Sequence, residues 1–202
     1  MREKAKIGVV ILAVGSSSRL GYPKQLVEFR GIPLLQHVVS IACSLEFDCR
    51  ILVLGAIAEE IKKEVSIRNF KVAINEDWKE GMGTSISKGI FEAEKIEKAL
   101  DYILILLSDQ PLITRERIQE LINVQLKTEK QATFSEYAGE LGVPAIFSKE
   151  CFSELKKLKK DQGGKKLILD GKREFETIKF EGGNFDVDTR EDVERLKRME
   201  RS

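Results

Sequence analysis

Apolar positions along this chain follow two rhythms. Short unbroken runs, Val9 to Ala13 behind Ile7-Gly8, Arg50 to Leu54, Lys71 to Ile74 and Tyr102 to Leu107, have the length and composition of strands covered on both faces of a parallel sheet. Between them apolar residues return at helical spacing: Leu34, Leu35, Val38, Val39, Ile41 and Ala42 after Gly31-Ile32-Pro33, then Glu59 to Val65, then Thr84-Ser85 through Ile90 and Ala93, then Arg115 to Leu126. Alternating strands and helices predict an α/β fold: a doubly wound, mostly parallel, Rossmann-like sheet in a single domain. The run YILILL, the most apolar of all, is expected at the sheet centre. Ala132 to Phe134 is a further candidate strand, and Val193 to Met199 a last helix opened by Thr189 with Glu191 and Asp192 in its first turn. The charged runs Glu59 to Glu64 and Lys156 to Lys160 read as solvated helix faces.

In such sheets ligands collect beyond the carboxyl ends of the strands. The first strand ends in Gly15-Ser16-Ser17-Ser18-Arg19-Leu20-Gly21, with Lys24 three residues on. Glycines let successive N–H groups converge on an anionic oxygen. Arg19 adds a forked cation and Lys24 a mobile point charge, so polyphosphate is the matching ligand. Neither GxGxxG nor GxxxxGK[ST] is present, because no third glycine lies between Gly15 and Gly21 and Lys24 does not follow the second directly. An ordinary strand-ending turn shares this composition, and from composition alone that reading stays open.

The strand ending at Asn75 is followed by Gly81 and Gly83 ahead of Thr84-Ser85, amides and hydroxyls that could serve an anion or cap a helix. Trp78, the only tryptophan, reads as a packing anchor. Tyr102 to Leu107 runs into Ser108-Asp109-Gln110-Pro111. A carboxylate at the end of a central strand is costly to desolvate without a cation, which makes Asp109 the leading magnesium ligand; its competing role is to cap the helix that begins near Thr114. Asp186 and Asp188, two residues apart in an expected strand, point the same way and repel unless a metal or a cation lies between them. Asp161-Gln162-Gly163-Gly164 reads by itself as a turn between charged helices. His37, the only histidine, sits in an amphipathic run and reads as a packing or surface residue rather than an acid–base group.

Taken together, these stretches resemble the molybdenum-cofactor nucleotidyltransferases. LAVGSSSRLGYPK (Leu12 to Lys24) is similar to their LAxGxSxRxGxxK signature, and SDQP to GDQP with Ser108 in place of glycine. NEDWKEGMGTS (Asn75 to Ser85) resembles the NxxWxxGMxxS run of the cytidylyltransferase branch, not the GPLxG run of the guanylyltransferase branch. Gly142-Val143-Pro144 resembles a GHP run with Val143 in place of histidine, Asp161-Gln162-Gly163 a DQG loop, and Asp186-Val187-Asp188-Thr189-Arg190 a DxDTPxDL motif with Arg190 in place of proline. The resemblance implies a fold of the nucleotide-diphospho-sugar-transferase type, with a nucleotide-binding half over about residues 1–110 and an acceptor-binding half over about 111–202. It implies catalytic roles for Arg19, Lys24 and Asp109, and nucleotide contacts from Leu12, Ala13, Gly15, Ser16, Ser17, Ser18, Arg19, Lys24, Asn75, Gly81, Met82, Gly83, Thr84 and Ser85. Acceptor contacts would come from Gly142, Pro144, Asp161, Gln162 and Gly163, and Mg²⁺ would be held by Asp109, Asp186 and Asp188.

Charge and cysteines narrow the partners. Among 202 residues, 34 basic and 33 acidic side chains leave a formal charge of +1, so no global field favours nucleic acid or an anionic membrane. Cys43, Cys49 and Cys151 show neither CxxC spacing nor a clustered histidine, which argues against a disulfide framework or a zinc site and for reduced cytosol. No apolar run approaches the roughly 20 residues of a membrane span, and Met1-Arg2-Glu3-Lys4 leads into a strand rather than a signal-peptide core, so a cytoplasmic protein is expected. The activity implied is Mg-dependent transfer of CMP from CTP to the phosphate of molybdopterin or the molybdenum cofactor, releasing pyrophosphate, with a molybdenum hydroxylase as the enzyme served. Alternatives are a different phosphate acceptor such as a sugar phosphate, GTP-dependent guanylyl transfer to the cofactor, or a non-catalytic carrier of the molybdenum cofactor. The missing GxGxxG fingerprint disfavours a nicotinamide oxidoreductase.

Overall fold

The structure, a computed structural model, describes residues 4–15, 17, 19–55, 57–168 and 173–201. Its strands are β1 (Ile7–Ala13), β2 (Glu28–Phe29), β3 (Ile32–Pro33), β4 (Cys49–Leu54), β5 (Lys71–Ile74), β6 (Tyr102–Leu107), β7 (Ala132–Tyr137), β8 (Glu140–Ser148) and β9 (Phe175–Lys179). The helices are α1 (Leu34–Cys43), α2 (Ala58–Glu64), α3 (Met82–Ile96), α4 (Arg115–Thr128), α5 (Phe152–Leu155) and α6 (Arg190–Glu200). Seven strands form the main sheet in the order β5-β4-β1-β6-β8-β7-β9, and β2 and β3 make a separate small hairpin. β5, β4, β1 and β6 run parallel, and β8 alone is antiparallel to its neighbours β6 and β7. YILILL is the middle strand, as its apolarity predicts.

The unbroken apolar runs follow from helices on both faces. Val9, Ile11, Leu52, Leu54, Leu104 and Leu106 pack with residues of α1, α2 and α4, whereas Val10, Leu12, Ile51, Val53, Ile103 and Ile105 pack with residues of α3 and α5. Each such side chain, fully buried, contributes roughly 1.5–3 kcal/mol of transfer free energy. Gly89 lets α3 sit close on the sheet, because a Cβ there would run into Val10 and come within 3.2 Å of Val53. No helix among the described residues is long and apolar enough to cross a membrane.

A third apolar cluster, Leu20, Val27, Phe29, Leu34, Phe185, Val187, Val193 and Leu196, lies under α6 and controls the site. It fastens the turn after β1 to the segment before α6, so that Arg19 and Asp188, 169 residues apart, come into contact. α6 begins one turn of capping ahead of the expected apolar stretch: Thr189 accepts from the Asp192 N–H, and the Asp192 carboxylate accepts from the Thr189 N–H.

Four local readings change. Residues 185–188 are irregular and not a strand: the Val187 N–H reaches the Asp109 carbonyl across the end of β6, and no ladder continues. Phe185 and Val187 still face the apolar cluster, which leaves the two aspartates on the opposite side. Lys156 to Lys160 form turns, not a helix face, since Leu158 is buried and the backbone at Lys160 is tied to Gly83. Gln25 to Phe29 holds a short 3₁₀ turn and the first hairpin strand rather than a plain link. β8 and β9 were not evident as strands, because glycine and proline interrupt the first and charges the second. In β8 the register against β7 jumps from Phe134↔Ala145 to Ser135↔Gly142, so Val143 and Pro144 bulge out beside the site.

Candidate active site

The turn after β1 is built around Ser17 and Gln25. Ser17 takes a left-handed backbone (φ 51°); its carbonyl accepts from the Leu20 and Gly21 N–H groups at 3.0 Å, and its hydroxyl accepts from the Lys24 N–H at 2.9 Å. The buried Gln25 side chain donates to the carbonyls of Ala13 (3.1 Å) and Gly15 (3.2 Å), pinning the start of the turn. No motif singled out Gln25, because its role is visible only once the chain has folded back on itself. Ser16 and Ser18 lie outside the described residues. Gly15 faces Lys24: a Cβ there would come within 3.0 Å of Lys24 Cε.

Lys24 is the hub. Its ammonium donates to the Asp109 carboxylate and, at 2.7 Å, to Asp188 Oδ1, while Arg19 Nη2 donates to Asp188 Oδ2 at 2.8 Å. The side chains of Lys24 and Asp109 are only 14% and 11% exposed, against 69% for Arg19. Burial alone would lower the Lys24 pKa, but Asp109 and Asp188 outweigh it and hold the ammonium above its usual 10.5. Burial likewise opposes ionisation of Asp188, yet Lys24 and Arg19 keep its carboxyl below 3.8. Asp186 has no cation bonded to it. Burial, then the charge of Asp109, pushes its carboxyl up to about 6.

One oxygen of Asp109 and one of Asp186 are buried with no hydrogen-bond partner. Among the described residues no three His, Cys, Asp or Glu side chains converge to hold a metal ion unaided. The donor set nonetheless suits magnesium, which usually takes one or two carboxylates and completes its octahedron with substrate phosphates and water. Asp109 and Asp186 offer those two carboxylates; Asp188 is already engaged by Lys24 and Arg19. Asp109 does not cap α4, whose cap is Thr114, accepting from Arg117 N–H at 3.2 Å.

Two adjoining cavities open at this edge and share Leu12, Met82, Leu107 and Asp161. The first, about 320 Å³, is lined by Gly15, Lys24, Trp78, Gly81 and Asp109. The second, about 270 Å³, is walled by Phe134, Tyr137, Gly142, Phe147 and Gly163 with Asp186 at its polar side. Trp78 lies against Gly55, as a packing anchor would, and also lines the first cavity.

Other sequence candidates are structural parts of the site. Asn75 is buried, and its amide donates to the hydroxyls of Thr84 (2.9 Å) and Ser85 (2.8 Å). Thr84 does not cap α3 by accepting a backbone N–H; its hydroxyl donates towards the Gly81 and Asp77 carbonyls. Ser85 is fully buried. Gly81 (φ 113°) and Gly83 let this loop lie against residues 159–161: a Cβ at 81 would meet Asp161 Oδ1 at 2.6 Å, and the Gly83 N–H donates to the Lys160 carbonyl at 2.8 Å. Ala13 contributes its carbonyl while its side chain is in the core. The Pro144 carbonyl accepts from Ser135 Oγ at 2.7 Å. Gln162 turns to the other side of its loop, where it accepts from the Lys159 N–H at 3.1 Å. His37 packs edge-on to Phe29 with ring centroids 5.5 Å apart, and burial lowers its pKa, consistent with a packing role.

The purine catabolism protein PucB of Bacillus subtilis is 29% identical over 208 aligned positions, covering 98% of each chain. The nicotine blue oxidoreductase of Paenarthrobacter nicotinovorans is 31% identical over 56% of this chain, which spans only 54% of that protein. The crystal structure of Rv0371c from Mycobacterium tuberculosis superposes with a TM-score of 0.83 at 29% identity, covering 95% of this chain and 97% of the other, and the same protein has been crystallised with manganese. The family model of the MobA-like NTP transferase domain matches residues 9–175, and the chain belongs to that family of nucleotidyltransferases.

Proposed function

We propose that the protein transfers CMP from CTP to the phosphate of the molybdenum cofactor, with release of pyrophosphate. The observation that carries this reading is the pairing of Lys24 and Arg19 with Asp109 and Asp188 beside two adjoining cavities, the first lined by Lys24 and Asp109 and the second by Asp186. Nucleotidyl transfer needs two substrate sites that share one phosphate centre. The turn of residues 15–24, with the 75–85 loop, would take the nucleotide, and the aromatic cavity the acceptor. This assignment would give a nucleotide half over about 1–110 and an acceptor half over about 111–202, with Asp161, Leu12 and Met82 shared between the two cavities.

Chemically, an acceptor phosphate oxygen attacks the α-phosphorus of the nucleotide in line, and the α–β bond breaks to release pyrophosphate. Arg19 and Lys24 neutralise charge growing on the α-phosphate and on the departing pyrophosphate. Asp109 and Asp186 would hold magnesium, which when bound supplies further charge neutralisation and alignment of the phosphates. A phosphate monoester is largely dianionic at pH 7, its second pKa being about 6, so no protein base has to be supplied. Cytosine preference is supported by the resemblance of residues 75–85. With Asn75 and Ser85 bonded to each other, base selection would fall to backbone groups of this loop and to Met82. Relatives named for purine catabolism and for an oxidoreductase activity support a molybdenum hydroxylase as the partner that uses the product.

The test is pyrophosphate release with Mg²⁺ from CTP, GTP, ATP and UTP, each with and without molybdenum cofactor. Release from CTP only when the cofactor is present is the expected result. Release from another nucleotide reassigns the base, and release only with a different phosphate compound reassigns the acceptor.

A further inference from the structure

Lys24 is bonded to groups that the reaction scheme above assigns to something else. Its ammonium donates to Asp109, a carboxylate suited to magnesium, and at 2.7 Å to Asp188, whose other oxygen takes Arg19 at 2.8 Å. Two cations and two carboxylates, drawn from the turn after β1, the end of β6 and the segment before α6, therefore neutralise one another. The groups that would bind phosphate and the group that would hold a metal are each other's partners. With side chains 14% and 11% exposed, Lys24 and Asp109 are not a loose surface pair. The second oxygen of Asp109 is buried with no hydrogen-bond partner, so this carboxylate keeps acceptor capacity that Lys24 does not fill.

Lys24 also has a second place to go. Its backbone is fixed, the N–H donating to Ser17 Oγ at 2.9 Å, but its four-carbon stem carries its own rotatable bonds. The stem passes over Gly15, where a Cβ would lie 3.0 Å from Lys24 Cε and 3.7 Å from Nζ. The ammonium is thus already beside the turn that would take the triphosphate, and Lys24 lines the same cavity of about 320 Å³ as Gly15 and Asp109. Side-chain torsions alone can carry it from carboxylate to phosphate. An ammonium and a divalent cation on one carboxylate repel each other, and the repulsion is strongest where water is scarce.

We propose that Lys24 is an interlock between the metal and nucleotide subsites: its ammonium stands on Asp109 in place of a divalent cation, and is released to the nucleotide phosphates when Asp109 ligates one. The inference rests on the reading that gives Asp109 to the metal and Lys24 to the nucleotide. It makes the two subsites fill together, because each ligand frees the group that the other needs.

The test is equilibrium binding of Mn²⁺ alone, followed by electron paramagnetic resonance without nucleotide, to wild type, Lys24→Met and Arg19→Met. Lys24→Met should bind Mn²⁺ roughly 5–150-fold more tightly than wild type, the usual span of coupling between two sites. Arg19→Met removes the same charge from Asp188 but not from Asp109, and its affinity should rise much less. Equal or weaker binding by Lys24→Met overturns the interlock, as does an equal gain in Arg19→Met, which would reduce the effect to net charge. A gain in Lys24→Met that survives combination with Asp109→Asn refutes instead the assignment of the metal to Asp109. Should Lys24→Met fail to fold, wild type decides: Mg²⁺ alone should shift the Lys24 ammonium signal in ¹⁵N-lysine NMR, and an unchanged signal at saturating Mg²⁺ overturns the inference.

Discussion

Asp186→Asn separates electrostatics from packing in the carboxylate cluster beside Lys24. In the native state the carboxyl is pushed from 3.8 up to about 6, first by burial and then by Asp109. Two pKa units correspond to about 3 kcal/mol, and partial exposure with solvent screening reduces this to roughly 1–2 kcal/mol. The sign follows from linkage. Because the folded pKa is the higher one, the native state binds the proton more tightly; the benefit is full below about pH 4, falls as the pH rises from 4 to 6, and is absent above. Asparagine is nearly the same shape and never ionises, so the variant should be more stable than wild type at pH 8. At roughly 2–4 °C per kcal/mol for a domain of this size, its Tm should lie about 2–8 °C higher. The two melting temperatures should converge towards pH 4. Calorimetry from pH 3.5 to 8 in metal-free buffer with chelator measures this. A variant that melts at or below wild type at pH 8, or a gap that does not change with pH, would refute the argument.

Arg19→Ala should lower kcat by about 10²–10³, the usual cost of one preorganised donor to developing charge, and a change confined to KM would mean that Arg19 binds without stabilising the transition state. Asp109→Asn should remove most Mg-dependent turnover while circular dichroism stays native; near wild-type rates would dismiss Asp109 as a metal ligand. Lys24→Met leaves Asp109 and Asp188 without their shared cation and should cost about 3–5 kcal/mol in urea unfolding, with an unchanged midpoint as the opposing result. Gly81→Ala combines a positive φ with a collision against Lys160 and Asp161, and should weaken nucleotide and acceptor binding together; loss of nucleotide binding alone would show that the two loops are not coupled.

The main sheet was legible because its determinants are local. An apolar run buried on both faces is unbroken, and the helix capped by Thr114 and the one capped by Thr189 announce themselves by residue type and spacing. β8 and β9 were not legible: Gly142, Pro144 and the charges of Phe175–Lys179 weaken the pattern, and what makes these residues strands is their pairing with β6 and β7. Asp109 could be picked from the sequence as a charge where a strand ends, Lys24 as a cation of the loop after the first strand, and Asp186 and Asp188 as paired carboxylates two residues apart. Their division of labour could not, since Asp188 meets Lys24 and Arg19 only because Leu20 and Val187 share one apolar cluster. Gln25 carries no sequence signal at all, because a buried amide acquires its role from backbone groups elsewhere in the folded chain, and the resemblance that includes Gln110 does not tell that its amide reaches the Val143 and Gly183 carbonyls. The order of apolar and polar residues therefore determined the layers and the edge where charge collects, whereas long-range packing decided which charge faces which, a choice that depends on distances no local pattern encodes.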